Sequence, residues 1–184
     1  MSQTQRIAVI IGSLRRDSVN RKAANALVAL APGHLAMEIV EIGDLPLYNQ
    51  DYDEDPPAPY DVFRDRIRAA DGYIFVTPEH NRSMPAAMKN ALDIGTRPPT
   101  DNVWNGKPGA VISASPSMQG GFGANHHLRQ TLVNLNVVCM PKPEVYLSQA
   151  FDLFDDRGQP TERCQGFLQT FLDGYSRWIA RQTD

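Results

Sequence analysis

Ile7-Ala8-Val9-Ile10-Ile11-Gly12-Ser13-Leu14-Arg15-Arg16-Asp17-Ser18-Val19-Asn20 is an unbroken apolar run that stops in a short polar turn, and an alanine-rich segment follows it at once. The run from Ile7 to Ile11 lacks the alternation of a half-solvated strand, so it reads as a strand buried on both faces. Gly12 permits a sharp turn. Ser13, Ser18 and Asn20 then offer short hydrogen-bonding side chains just before a helix expected over residues 23–30. The first turn of a helix carries N–H groups without intrahelical acceptors, and its dipole favours negative charge. Strand, turn and helix start are together the parts of an anion cradle.

The spacing has neither the three glycines of a dinucleotide fingerprint nor the Gly-Lys-Ser/Thr of a triphosphate loop. A single phosphate ester is the expected guest, and a mononucleotide such as FMN fits it. The stretch alone also permits a plainer reading, with Ser18 or Asn20 as an N-cap and Arg15 and Arg16 as solvated charges.

Outward from this stretch, apolar segments alternate with helical patterns. Strands are expected over residues 7–11, 37–42, 72–77, 109–114 and 137–140, and helices over 23–30, 60–70, 84–94, 124–135 and 161–180. Such alternation implies a parallel sheet covered by helices on both faces, with ligands at the carboxyl ends of the strands. The segment from Leu45 to Pro59, acidic and proline-rich, reads as a long surface loop in which Leu47 and Tyr48 are candidates for a subunit contact.

The chain has 184 residues, of which 42% are apolar, enough for one substantial core, so residues 1–184 are expected to form one domain. Lys and Arg total 18 against 21 Asp and Glu, and no basic stretch is interleaved with aromatics, which argues against nucleic acid as a partner. No apolar run approaches a membrane span and the first residues lack the apolar core of a secretory leader, so a cytoplasmic protein without membrane attachment is expected. Cys139 and Cys164 stand far apart without CxxC or His-rich neighbours, so no metal site is expected.

After the third expected strand comes Pro78-Glu79-His80-Asn81, followed by Pro85-Ala86-Ala87-Met88-Lys89-Asn90-Ala91-Leu92-Asp93. This segment resembles the Pro-Glu-Tyr-Asn and Pro-x-x-x-Lys-Asn-x-x-Asp pattern of the NAD(P)H-dependent FMN reductase family, flavodoxin-like enzymes that include quinone, azo-dye and chromate reductases. The first loop is similar to the family's Gly-Ser-x-Arg-x-x-Ser-x-Asn. Ser113-Ala114-Ser115-Pro116-Ser117-Met118-Gln119-Gly120-Gly121, with His127-Leu128-Arg129 after it, resembles the family's turn behind the fourth strand. The three matches occur in the family's order and span most of the chain.

The resemblance implies an α/β fold, a three-layer α/β/α sandwich whose five-stranded parallel sheet has the flavodoxin-like order 2-1-3-4-5. It implies FMN at the carboxyl edge, with hydride passing from NADPH or NADH through FMN to a small-molecule acceptor such as a quinone, an azo dye or a metal oxyanion by ping-pong kinetics. A homodimer or homotetramer is implied as well. The cofactor-binding candidates are Ser13, Arg15, Ser18 and Asn20 for the phosphate, and Pro78, Glu79, His80 and Asn81, through a rigid wall and main-chain groups, for the ring. Ser115, Gly120 and Gly121 are candidates for its other side. The flavin itself carries the electrons, so no side chain is assigned a catalytic role.

Asn81 or Ser83 can equally cap the third helix, and the glycines can be a plain connection. Lys89, Asn90 and Asp93, set inside a helix, are expected to clamp the neighbouring loop or neutralise each other. His126 and His127 are adjacent on a helix and cannot converge on one metal, so they are read as structural or interface residues. Arg129, Trp104 and Trp178 are read as packing or ion-pairing residues, with Trp104 also able to edge the cofactor slot. The sequence departs from the family pattern at His80, where Tyr is frequent, and at Gly123, where many relatives carry Arg. Two rivals remain. A flavodoxin-like electron carrier would need paired aromatics that these loops lack, and a hydrolase using Ser13 or Ser115 would need a Gly-x-Ser-x-Gly elbow that is absent.

Overall fold

The computed structural model describes residues 4–183. Three parallel strands form the centre of the sheet: β1 (Gln5–Ile11), β3 (Gly72–Thr77) and β4 (Pro108–Ala114). All six residues of β3 and all seven of β4 are buried, which is why their sequences are apolar except for Thr77 and Ser113 near the carboxyl ends. One margin is β2 (Leu35–Val40), paired with β1 from Gln5↔Leu35 to Ile10↔Val40. The other margin is broken into β5 (Val138–Cys139), beside Pro108 and Gly109, and β6 (Val145–Leu147), beside Ile112 to Ala114. The order is 2-1-3-4-5, as expected, with β6 continuing the line of β5 along β4.

Residues that alternate along the strands sort into two cores. Ile7, Val9 and Ile11 of β1 join Ile74, Val76 and Ile112 under α1 (Val19–Leu30) and α5 (Glu162–Thr183). Ala8 and Ile10 join Tyr73, Phe75 and Val111 on the opposite face, under α2 (Ala58–Ala69), α3 (Ala86–Gly95) and α4 (Phe122–Asn134). Each fully buried large apolar side chain contributes roughly 1.5–3 kcal/mol, so both layers are held chiefly by this burial. Trp104 is buried in the second core against Phe63, Tyr73 and Phe75, and its indole N–H donates to the Leu92 carbonyl at 3.1 Å. It therefore lies within the packing and does not edge a cofactor slot. Gly95 is required beside it, because a Cβ there would sit 2.2 Å from the Trp104 Nε1.

Element boundaries differ from the sequence reading in ways that have local causes. β2 begins and ends two residues earlier than expected, because buried Ile42 extends the apolar pattern beyond the last ladder residue. α3 starts after Pro85 with no side-chain cap, so neither Asn81 nor Ser83 caps it. The loop before α2 includes a short 3-10 turn at Gln50–Tyr52 and is pinned by Asn90. The Tyr48 N–H donates to the Asn90 Oδ1 at 2.8 Å, and the Asn90 amide donates to the Pro46 carbonyl at 2.9 Å. Lys89 pairs with Asp93 one turn along, so the expected clamp and the expected mutual neutralisation are both present. Among the described residues, no helix is long and apolar enough to cross a membrane.

Candidate active site

The loops leaving the carboxyl ends of β1, β3 and β4 meet at one edge of the sheet, and specific hydrogen bonds tie them together. The Gly12 N–H donates to the Val76 carbonyl at 2.9 Å. A Cβ on Gly12 would come within 3.3 Å of side-chain atoms of Pro78, Pro85 and Met88, so the first loop lies tightly against the second at this bare backbone. Ser18 is the N-cap of α1, its hydroxyl accepting from the Arg21 N–H at 3.3 Å. Lys22 bonds back to the Ser18 carbonyl, which leaves the N–H groups of Val19 and Asn20 without an intrahelical acceptor. Ser13 is half-buried, and Arg15 and Arg16 are exposed. Asn20 faces inward at 2% exposure, its amide donating to the Ala114 carbonyl at 3.1 Å and its Oδ1 buried without a partner among the described residues. Its side chain joins α1 to the end of β4.

The loop after β3 turns back on itself. The His80 N–H donates to the Ser83 carbonyl and the Ser83 N–H to the His80 carbonyl, each at 2.9 Å. Asn81 (φ 50°) and Arg82 (φ 67°) are both left-handed, the signature of a type I′ turn. Pro78 and Glu79 are half-buried and His80 and Asn81 are exposed. One Glu79 carboxylate oxygen accepts from the Ala124 N–H at 3.0 Å, so this side chain caps the start of α4, and the other faces Arg82 at 3.4 Å. The N–H groups of Glu79 and Asn81 have no protein acceptor among the described residues. Ser83 Oγ lies 2.7 Å from His127 Nδ1, a second tie between this loop and α4.

The loop after β4 ends in Gly120 (φ 59°) and Gly121 (φ 81°), and Gly121 is the N-cap of α4. Buried Ser113 donates its hydroxyl to the Gly120 carbonyl at 2.8 Å and accepts from Asn125 at 3.4 Å. Arg129 continues the network, donating to Asn125 Oδ1 and to the Met140 carbonyl. Arg129 thus makes neutral hydrogen bonds and no ion pair among the described residues. Ser115 is 9% exposed, and its hydroxyl accepts from the Ser117 N–H at 3.2 Å. His126 Nε2 lies 2.9 Å from the Tyr146 hydroxyl, which desolvation and the nearby Glu144 push up to about 12, so the phenol stays protonated at neutral pH.

This arrangement has counterparts among known proteins. Residues 5–152 match the model of a family described as NADPH-dependent FMN reductase. The chain belongs to that family. It is 53% identical over 180 residues to a quinone reductase of Pseudomonas putida, a match covering 97% of each chain. A 2-hydroxy-1,4-benzoquinone reductase of a Burkholderia species is 46% identical over 175 residues, covering 95% of this chain and 96% of the other. The structure of the flavoenzyme FerB, an NAD(P)H:(acceptor) oxidoreductase from Paracoccus denitrificans, superposes with a TM-score of 0.91 at 40% identity, covering 97% and 98% of the two chains.

As a member of the NADPH-dependent FMN reductase family, the chain is an oxidoreductase that uses FMN with a reduced nicotinamide nucleotide, and its carboxyl edge suits that flavin. The free N–H groups at the start of α1, and Ser13 and Arg15 on the loop before it, are donors of the kind that a phosphate monoester accepts. The free N–H groups of Glu79 and Asn81 are main-chain donors of the kind a flavin ring edge accepts. The sequence reading did not identify the Glu79 cap on α4, the Ser83–His127 tie or the Ser113–Asn125 network, because each links residues far apart in the chain. Gly123 is the sequence signal for the first of them, since a Cβ there would lie 3.0 Å from the Glu79 Oε2.

Proposed function

We propose that this protein is a quinone reductase that takes electrons from NADPH or NADH and delivers them to quinones, with azo dyes and metal oxyanions as further acceptors. FMN, when bound, carries the electron pair between the two co-substrates. Ser13, Arg15, Ser18 and the N–H groups at the start of α1 hold its phosphate, with Asn20 keeping that helix in register with β4. Pro78 forms a rigid wall beside the ring, while the main chains of Glu79, His80 and Asn81 hydrogen-bond its polar edge. Ser115, Gly120 and Gly121 close the opposite side. These groups bind and orient, and none of them transfers a proton or forms a covalent bond.

The observation that carries this reading is the cross-bracing of the loops by Gly12 to Val76, Asn20 to Ala114 and Ala124 to Glu79. The bracing holds the three loops together at one margin of the sheet, which supports a site organised before any ligand arrives. Donor and acceptor use the same open ring face in turn, so ping-pong kinetics are expected. The protein acts in the cytoplasm as a homodimer or homotetramer, each chain being one flavin-binding domain. The identity of about one half to the two quinone-reducing relatives supports the choice of acceptor.

The test is a visible spectrum of the purified protein, followed by anaerobic addition of NADPH or NADH and then of a benzoquinone. A flavin spectrum that bleaches with nucleotide and returns with quinone is expected, with parallel double-reciprocal plots. A protein that takes up no FMN and oxidises neither nucleotide would sink the reading.

A further inference from the structure

Arg82 occupies a position that local conformation alone would not assign to an arginine. It is the second of two consecutive left-handed residues in a type I′ turn, where Gly is strongly favoured because a side chain crowds the backbone. Packing does not compensate for this. The side chain is 74% exposed, and its one partner among the described residues is Glu79, at a long 3.4 Å. The other Glu79 oxygen is already engaged by the Ala124 N–H.

The turn is nevertheless held firmly in place. A Cβ at Gly123 would sit 3.1 Å from the Arg82 carbonyl, so the bare backbone of α4 seats this residue against the helix. The Ser83–His127 contact at 2.7 Å secures the other side of the turn. A strained, well-seated and weakly paired guanidinium therefore stands on the rim of the flavin edge, in a chain whose formal net charge is −3.

We infer that Arg82 binds a phosphate of the incoming reduced nicotinamide nucleotide. This rests on the reductase reading above. Arg15 and Arg16 lie on the β1 loop with the flavin phosphate, whereas Arg82 stands on the β3 loop, beside the expected ring edge, where a second anion at the same edge would meet it. A guanidinium presents a planar fork of donors that matches phosphate oxygens bidentately, which an ammonium does not. The phosphate is either the 2′-phosphate of NADPH or the pyrophosphate common to NADPH and NADH, and the two are separable by experiment.

Arg82→Gln and Arg82→Gly would be prepared with FMN bound, their flavin content measured, and NADP+ and NAD+ titrated calorimetrically into each. Donor and acceptor kcat/KM would be measured in parallel. We expect NADP+ affinity and the donor kcat/KM to fall roughly tenfold, the order of a lost charge-assisted hydrogen bond, with acceptor kcat/KM changing far less. Loss for NADP+ alone identifies the 2′-phosphate, and equal loss for both nucleotides identifies the pyrophosphate. Arg82→Gly suits the turn, so its Tm should equal or exceed that of the wild type even as nucleotide binding weakens.

Variants that bind both nucleotides within twofold of the wild type overturn the assignment. So does a loss of binding that merely tracks loss of flavin or of Tm, since that is the mark of a structural role. A wild type that takes up no FMN overturns the reductase reading and this inference together, whereas an active wild type matched by its variants overturns this inference alone.

Discussion

Gly121 shows how single residues shape the edge. Its φ of 81° is open to glycine and strained for any other residue, and a Cβ there would press within 3.0 Å of the Ser113 side chain. Gly121→Ala is expected to cost about 1–3 kcal/mol from strain and crowding. The check is a lowered Tm together with weaker FMN retention, because Ser113 would be pushed off the Gly120 carbonyl that it holds at 2.8 Å. An unchanged Tm would refute the strain. Individual residues were only partly legible in the sequence. Ser18 as a cap could be read from its place before an apolar helix, but the inward turn of Asn20 could not. Its amide finds the Ala114 carbonyl 94 positions away, a pairing that local spacing does not encode. Glu79 is similar, since its carboxylate serves a helix that begins more than forty residues later.

At the scale of elements, Asn90 connects α3 to the long loop before α2. Its side chain satisfies the Tyr48 N–H and the Pro46 carbonyl, both partly buried, and removing it strands both. Asn90→Ala should cost about 2 kcal/mol and open the stretch 43–57 to limited proteolysis, with cleavage sites mapped by mass spectrometry. Cleavage no faster than in the wild type would show that the loop is held by other contacts. The inner strands were legible because burial on both faces leaves a continuous apolar signature, and β3 was read to the residue. The margins were less so. Only the first half of the fifth strand was expected, because Pro141 and Pro143 interrupt the pattern before Val145 resumes pairing with β4. The first turns of α1, α2 and α4 extend beyond the regular apolar spacing, because each opens on an apolar residue followed by polar, proline or glycine positions (Val19-Asn20-Arg21, Ala58-Pro59, Phe122-Gly123).

At the scale of the whole molecule, the buried titratable groups define an alkaline limit. Desolvation pushes the Cys139 and Cys164 thiols up to about 11. Burial also raises the Tyr73 and Tyr175 hydroxyls well above their ordinary value. Each neutral form is favoured by the fold, so the unfolded chain releases these protons first, the thiols from about 9 and the phenols from about 10. That stability is complete below those values and is lost as pH climbs toward the folded ones. Tm measured by circular dichroism should therefore fall progressively above pH 9, and a Tm that stays level to pH 11 would contradict this. Flavin acts in the opposite direction. FMN added to the flavin-free protein at about a hundred times its Kd should stabilise the fold by about 2.7 kcal/mol, read as a rising Tm, whereas riboflavin, which lacks the phosphate, should raise it much less.

The divided margin of β5 and β6 has a further effect. An uninterrupted parallel strand on an outer rim presents a ladder of unpaired amides that a second molecule can extend. Here the rim is reduced to two residues and then three, set apart by a proline-containing bend, so it offers too little template for continuous recruitment. Strand-to-strand recruitment of a second molecule along that rim is thereby disfavoured.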